Sequence, residues 1–342
     1  MFERECGMDG GRGEFSQIPV LDVSGLYTPG ETAIRGVASA LRGQLESVGF
    51  LYVAGHRVPR ASVEAVRDMS KAFFALPEPE KLKLRIDRNF RGYLPFAGST
   101  IVTSSVAKVA KPNQSESIFF MHEVAPDDPD ALAHKPLQGL NRWPDEATLP
   151  GFRAVINQYI AEMTDLARRL VHAITISLGL PEDSMDHCFE KPTTFLRLLH
   201  YPTQPEEVGL FGSAPHTDYG YITLLAQDEV GGLEVRNKAD EWIAAPPMRD
   251  TFVMNVGDIL ARWTNDRFVS TPHRVINRSG RERYSQPFFF DPGMNEMIEA
   301  LPTCVPLGRR PKYPPVLYGD YLMERIDKNY HYRNGVAGRD AD

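Results

Sequence analysis

The chain has 342 residues and a formal net charge of −7, and 42% of its residues are hydrophobic. That apolar share is enough for a substantial core in one large or two ordinary domains. The acidic balance leaves no basic stripe, and so no electrostatic support for a nucleic-acid partner or an anionic membrane surface.

The three cysteines, Cys6, Cys188 and Cys304, are widely spaced and odd in number. They fit neither a disulfide framework nor a zinc finger and point to a reducing compartment. The first fifteen residues are Gly-rich and mixed in charge, without the apolar stretch of a signal peptide, and no run approaches the ~18 apolar residues of a membrane span. The expectation is a cytoplasmic globular protein acting on a small molecule. Its oligomeric state is left open.

In chain order, residues 1–16 read as a disordered tail. Ile18 to Asp22 reads as a short edge strand, because Pro19 lacks the N–H that a central ladder needs. From Glu31 to Ser47, Ile34, Val37, Ala38, Leu41 and Leu45 recur at helical spacing, and Gly49 ends the helix. A buried strand follows to Ala54. A second helix runs from Arg60 to Leu76 and stops before Pro77. Residues 88–123 lack a clear period until an Ile118 to Met121 strand, and the proline-rich stretch 125–150 reads as a surface connection. Phe152 to Leu178 is the longest helical pattern, closed by Gly179 and Pro181. His172, which lies on it, reads as an ordinary core or surface histidine.

Phe195 to Tyr201 has strand composition, with Arg197 and Tyr201 on one face. Beyond it come short strands near 221–225, 232–235, 241–245, 251–256, 274–276 and 284–290, separated by Gly- and Asn-rich turns. Many short strands with this punctuation predict a sandwich or jelly roll. Residues 313–331 read as a C-terminal helix.

The chemistry-bearing stretch runs from His216 to Ser285. If Ala214 to Gln227 forms a strand pair, His216 and Asp218 project from one face, where both reach a single ion. His273 supplies a third donor. Two imidazoles and one carboxylate on one side of a metal leave the other side open, as non-haem Fe(II) oxygenases require. With nine histidines in the chain a His-x-Asp triplet alone says little. Arg283, ten residues beyond His273, and Ser285 on the same face add a guanidinium fork and a hydroxyl suited to a second carboxylate.

With His216-Thr217-Asp218, His273 and Arg283-Tyr284-Ser285, supported by Asn255-Val256-Gly257-Asp258, the sequence resembles the 2-oxoglutarate- and Fe(II)-dependent dioxygenases of the isopenicillin N synthase-like branch, from about Ile18 to about Tyr321. The resemblance implies a mainly β fold with helices: a double-stranded β-helix, or cupin-like jelly roll, behind a helical N-terminal region. It divides the chain into an N-terminal dioxygenase region (17–130), a connection with a long bracing helix (131–192), a jelly-roll core (193–312) and a C-terminal helix and tail (313–342). No linker separates these parts.

It further implies Fe(II) on His216, Asp218 and His273, 2-oxoglutarate between Arg283 and Ser285 with a hydrogen bond from Tyr201, and O2 as co-substrate. The products would be succinate, CO2 and an oxidised small molecule, by hydroxylation or by the related desaturation or ring closure. Leu199 stands where many plant relatives carry Asn, so one polar contact to the co-substrate is missing or replaced. For the substrate, the same resemblance offers Arg91, Tyr93 and Asn113 from the region that reaches over the metal. Tyr219, Phe288 and Phe290 are pocket aromatics, and Arg197 serves co-substrate, substrate or a structural salt bridge. A hydrophobic natural product or amino-acid-derived metabolite suits such a pocket. Two alternatives remain open at the level of sequence: an Fe(II) oxidase that holds a substrate carboxylate on Arg283 and Ser285 and needs no 2-oxoglutarate, and a zinc hydrolase or non-redox metal-binding jelly roll.

Overall fold

The computed structural model describes residues 15–333 except 206 and 208. The tail expected at 1–16 therefore lies almost wholly outside the described residues, as does the end of the chain after Arg333. In order the elements are β1 (Val20–Asp22), α1 (Glu31–Ser47), β2 (Phe50–Ala54), α2 (Arg60–Phe74), α3 (Glu78–Leu82), β3 (Gly92–Leu94), β4 (Glu116–Met121), α4 (Pro129–Leu132) and α5 (Phe152–Ser177). They continue with β5 (Thr193–Tyr201), β6 (Ser213–His216), β7 (Ile222–Gln227), β8 (Leu233–Arg236), β9 (Trp242–Ala244), β10 (Phe252–Val256), α6 (Asp258–Trp263), β11 (His273–Val275), β12 (Arg283–Asp291), β13 (Met297–Ile298), β14 (Val316–Leu317) and α7 (Tyr318–Asn329).

Local chemistry explains the first turn of the chain onto the sheet. The apolar positions Val37, Ala38, Leu41 and Leu45 of α1 are buried, and α1 and α2 both pack on α5. Gly49 leaves the helix with φ +70°, and a Cβ there would meet the Val269 carbonyl oxygen at 2.0 Å, so no other residue makes this entry into β2.

Eight strands form the large sheet in the order β1-β2-β10-β7-β12-β5-β4-β3, and four form a smaller one, β6-β11-β8-β9. The N-terminal region contributes β1 to β4 and so flanks the core strands on both sides, which makes the two regions one continuous sheet. The sheets bury two separate cores. One lies between the large sheet and the helices and includes Phe120, Ile156, Leu166, Phe288 and Phe290. The other lies between the sheets, where Phe50, Leu199, Tyr201 and Leu225 meet Leu233, Val235 and Val275. This is the predicted jelly roll.

Two local expectations change. The stretch from Ala214 to Gln227 is not a strand pair, because β6 and β7 lie in different sheets. The connection 125–150 is not wholly superficial either: it carries α4, and Leu137 is fully buried where its carbonyl accepts from Arg91.

Candidate functional site

β6 and β11 run antiparallel with His216 directly opposite His273. Their rings lie 4.3 Å apart, centre to centre. Asp218 sits in the turn just past the end of β6, so it reaches the histidines through loop geometry and not through the face of a strand. Its Oδ1 is 3.7 Å from Nε2 of His216 and 3.7 Å from Nε2 of His273. All three ligand atoms lie within 4.8 Å of one another. Each separation from Oδ1 is less than twice a metal–ligand bond of about 2.1 Å, so one ion can bridge them.

The remaining atoms of the three side chains are already committed. Nδ1 of His216 donates to the Ala214 carbonyl at 2.7 Å and Nδ1 of His273 to the Thr271 carbonyl at 3.3 Å. Both rings therefore turn an unprotonated Nε2 toward Asp218, the tautomer a metal needs. Asp218 Oδ2 accepts from Thr223 Oγ1 at 2.5 Å and Asn255 Nδ2 at 2.7 Å, which leaves Oδ1 free. Burial and the neighbouring His273 push His216 down to about 4, so it is neutral at pH 7. Burial opposes the charge on Asp218, but the two imidazoles and its hydrogen bonds outweigh it and hold the carboxyl below the usual carboxylate range.

The run from Asn255 to Asp258 anchors the Asp218 loop through the Asp258 N–H, which donates to the Asp218 carbonyl at 2.7 Å. Gly257 passes so close that a Cβ would stand 2.2 Å from the Gly220 carbonyl oxygen. Gly257→Ala is therefore expected to cost about 1–3 kcal/mol, the usual range for overpacking. Thermal unfolding checks the loss, and the same variant should retain bound divalent metal less well on dialysis.

Two cavities meet at this cluster, one of about 100 Å³ and one of about 70 Å³, and they share Asn113, Arg197, Ser213, His216, Asp218 and Phe289 as walls. The smaller ends at Arg283, Ser285 and Tyr201. Arg283 is fully buried. Its Nε donates to the Gly231 carbonyl at 2.6 Å, and one terminal nitrogen makes a long 3.4 Å contact to Gln227 Oε1. The other terminal nitrogen has no partner. The Tyr201 ring lies 4.7 Å beneath the guanidinium. A buried guanidinium with no carboxylate beside it among the described residues is costly unless an anionic ligand completes it.

The larger cavity is walled by Phe90, Phe119, Phe195, Tyr219, Phe289 and Tyr330, with Leu322, Ile326 and Asn329 arriving from the α7 side. Asn113 is held by the Ala214 N–H and by Ser99. Of the residues offered for the substrate, Asn113, Arg197 and Tyr219 line this cavity. Four others do not. Arg91 is fully buried, and its terminal nitrogens donate to the carbonyls of Asn89, Leu137 and His122. Tyr93 donates to Glu116 inside the network that also holds Lys81 and His200. Phe288 and Phe290 point to the helix-side core, with Phe290 stacked on Phe189 at 5.4 Å.

Phe289 faces the cavity instead. The period of two from Arg283 and Ser285 leads straight to it, just as the period from Tyr201 and Arg197 leads to Phe195. The same period on β12 continues to Asp291, another cavity wall, whereas Phe119 and the α7 residues carry no comparable local signal. A second group of metal-ligand types, His187, Cys188 and Glu296, exists among the described residues. Burial and Glu296 push the Cys188 thiol up to about 12, so it stays protonated and is a poor ligand.

Comparison with known proteins gives a consistent family. Residues 192–292 match the 2OG-Fe(II) oxygenase superfamily, and residues 18–146 match the N-terminal region described as non-haem dioxygenase in morphine synthesis. The chain is 36% identical over 320 residues to the 2-oxoglutarate-Fe(II) type oxidoreductase hxnY of Emericella nidulans, covering 91% of this chain and 90% of that one. It is 34% identical to a homoarginine-6-hydroxylase of Oryza sativa, covering 93% and 98%. Among solved structures, a full-length Neurospora crassa protein in complex with alpha-KG superposes with a TM-score of 0.80 at 31% identity, covering 94% of this chain and 99% of that one.

Proposed function

Because this chain belongs to the 2OG-Fe(II) oxygenase superfamily and is an Fe(II)- and 2-oxoglutarate-dependent oxidoreductase acting on small molecules, we propose that His216, Asp218 and His273 hold the iron, that Arg283, Ser285 and Tyr201 hold 2-oxoglutarate, and that the aromatic cavity holds a substrate that is hydroxylated. Bound Fe(II), with O2 and 2-oxoglutarate, supplies the oxidising power, and a C–H bond becomes C–OH while the keto acid becomes succinate and CO2.

The protein's part is to bind, orient and exclude water. The carbonyls of Ala214 and Thr271 fix the imidazole tautomers. Thr223 and Asn255 occupy one carboxylate oxygen of Asp218 and aim the other. The free edge of Arg283, with the Ser285 hydroxyl beside it, suits the distal carboxylate of the keto acid at the closed end of the smaller cavity. Tyr201 backs the guanidinium with its ring; a hydrogen bond from its hydroxyl to the keto acid is part of the proposal. The aromatic walls keep solvent from the space between ligand cluster and substrate.

The observation that carries this reading is the fully buried guanidinium of Arg283, one terminal nitrogen of which has no partner, in the wall of a cavity that also reaches the three ligand side chains. The separate aromatic compartment favours a substrate bound in addition to the keto acid over an oxidase that uses Arg283 for the substrate itself. In an oxygen electrode with a metabolite panel, O2 uptake is expected to require 2-oxoglutarate and to match succinate formed one for one. Substrate-driven O2 uptake without 2-oxoglutarate would instead establish the oxidase.

A further inference from the structure

Arg197 occupies the inner face of β5 opposite Phe119 of β4, and it lines both cavities beside His216 and Asp218. Its guanidinium carbon lies 4.7 Å from the centre of the Phe119 ring. Its Nε is shut off from solvent without an acceptor. No carboxylate pairs with it among the described residues, so the structural salt bridge considered for this residue is not formed.

Charge sets what it lacks. With iron and the keto acid bound, the two negative charges of 2-oxoglutarate and that of Asp218 offset the ion and Arg283, and Arg197 is left uncompensated. The other acid at the cavity wall, Asp291, is engaged elsewhere: it accepts from the Tyr221 N–H at 2.6 Å and from the Tyr318 hydroxyl at 2.7 Å. Burial pushes its carboxyl up to about 7, which weakens it further as a counter-charge.

Resting on the iron and keto-acid assignments above, we propose that the larger cavity takes a planar aromatic monocarboxylate, its carboxylate gripped by Arg197 and its ring held among Phe119, Phe195, Phe289, Tyr219 and Tyr330. A guanidinium fork matches a carboxylate in two parallel hydrogen bonds, which a neutral amide cannot reproduce. The facing rings offer offset or edge contacts to a flat apolar body. Arg197 then selects the substrate, while Arg283 selects the co-substrate at the other end of the same sheet face.

Anaerobic titration calorimetry of the Fe(II)- and 2-oxoglutarate-loaded protein tests this with benzoate and phenylacetate against benzamide and phenylacetamide. The acids are expected to bind at least about 10-fold more tightly than their amides. Arg197→Gln should abolish that preference, and Arg197→Lys, which keeps the charge and loses the fork, should fall between. Titration of 2-oxoglutarate alone into each variant reports which ligand the side chain serves. Equal binding of acids and amides to the unaltered protein, failure of both acids to bind, or an Arg197→Gln protein that loses 2-oxoglutarate instead of the acids overturns the proposal. If the unaltered protein with Fe(II) takes up no 2-oxoglutarate before any probe is added, the iron and keto-acid assignments fall instead.

Discussion

His216→Ala and Asp218→Ala are each expected to reduce succinate formation by at least about 1,000-fold at saturating Fe(II) and 2-oxoglutarate. Even residues outside a ligand set, acting only by orienting it, commonly contribute about 10- to 100-fold to metal affinity or activity. Removing a proposed ligand itself should lie beyond that range, because only two of the three protein donors would remain to hold the ion. The loss should coincide with loss of iron measured on the purified protein. Thermal unfolding of the metal-free His216→Ala variant should stay close to that of the unaltered chain, because the ring lines a cavity and its deletion removes the contact with His273 and one hydrogen bond to the Ala214 carbonyl. Turnover within tenfold of the unaltered protein in either variant would overturn the ligand assignment.

The second large effect belongs to Arg283. Arg283→Lys is expected to raise the 2-oxoglutarate concentration for half-maximal rate by about 10- to 100-fold, with the rate at saturation far less affected, since one or two charge-assisted hydrogen bonds are each worth about 1.5–3 kcal/mol. The reason is geometric. Nε is already spent on the Gly231 carbonyl, and the opposite edge of the same rigid group remains for the ligand. A lysine ammonium can serve one of those sites but not both. An unchanged 2-oxoglutarate dependence would remove Arg283 from the co-substrate site.

Much of the architecture was legible along the chain because the controlling interactions are local. The bounds of α1 follow from its apolar spacing and from a glycine that alone tolerates the turn beyond it. The same holds for α5, whose buried positions follow one helical face. The candidate site was legible for a different reason: imidazole, carboxylate, guanidinium and hydroxyl are chemically conspicuous, and a resemblance tied them together.

Where the sequence misled, long-range packing decided the outcome. β12 is buried on both faces, one against helices and one toward the cavities, so its Phe288-Phe289-Phe290 run shows no alternation from which to choose the inward ring. Only the position of Arg283 and Ser285 on the same strand sets that phase. Arg91 and Tyr93 misled similarly, because polar residues near a presumed opening read as ligand contacts until their partners appear. Those partners, the carbonyls of Leu137 and His122 and the carboxylate of Glu116, lie 23 to 46 residues away in the chain. The placement of Asp218 in a turn between two sheets likewise depends on Thr223, which carries no signal, and on Asn255, which the sequence offers only as part of a supporting motif and not as a partner of Asp218.

The cavity facing the ligand cluster is closed on one side by α7, which is stitched down by Tyr318 on Asp291 and by Asn329 on Thr103 and Tyr219. Preference for one compound over another can therefore drift by exchanges within this one helix, while the strands proposed to hold the ion and the keto acid keep their sequence. Evolution, or an engineer grafting residues 318–330 from a relative, can retune what is oxidised without rebuilding the apparatus that oxidises it.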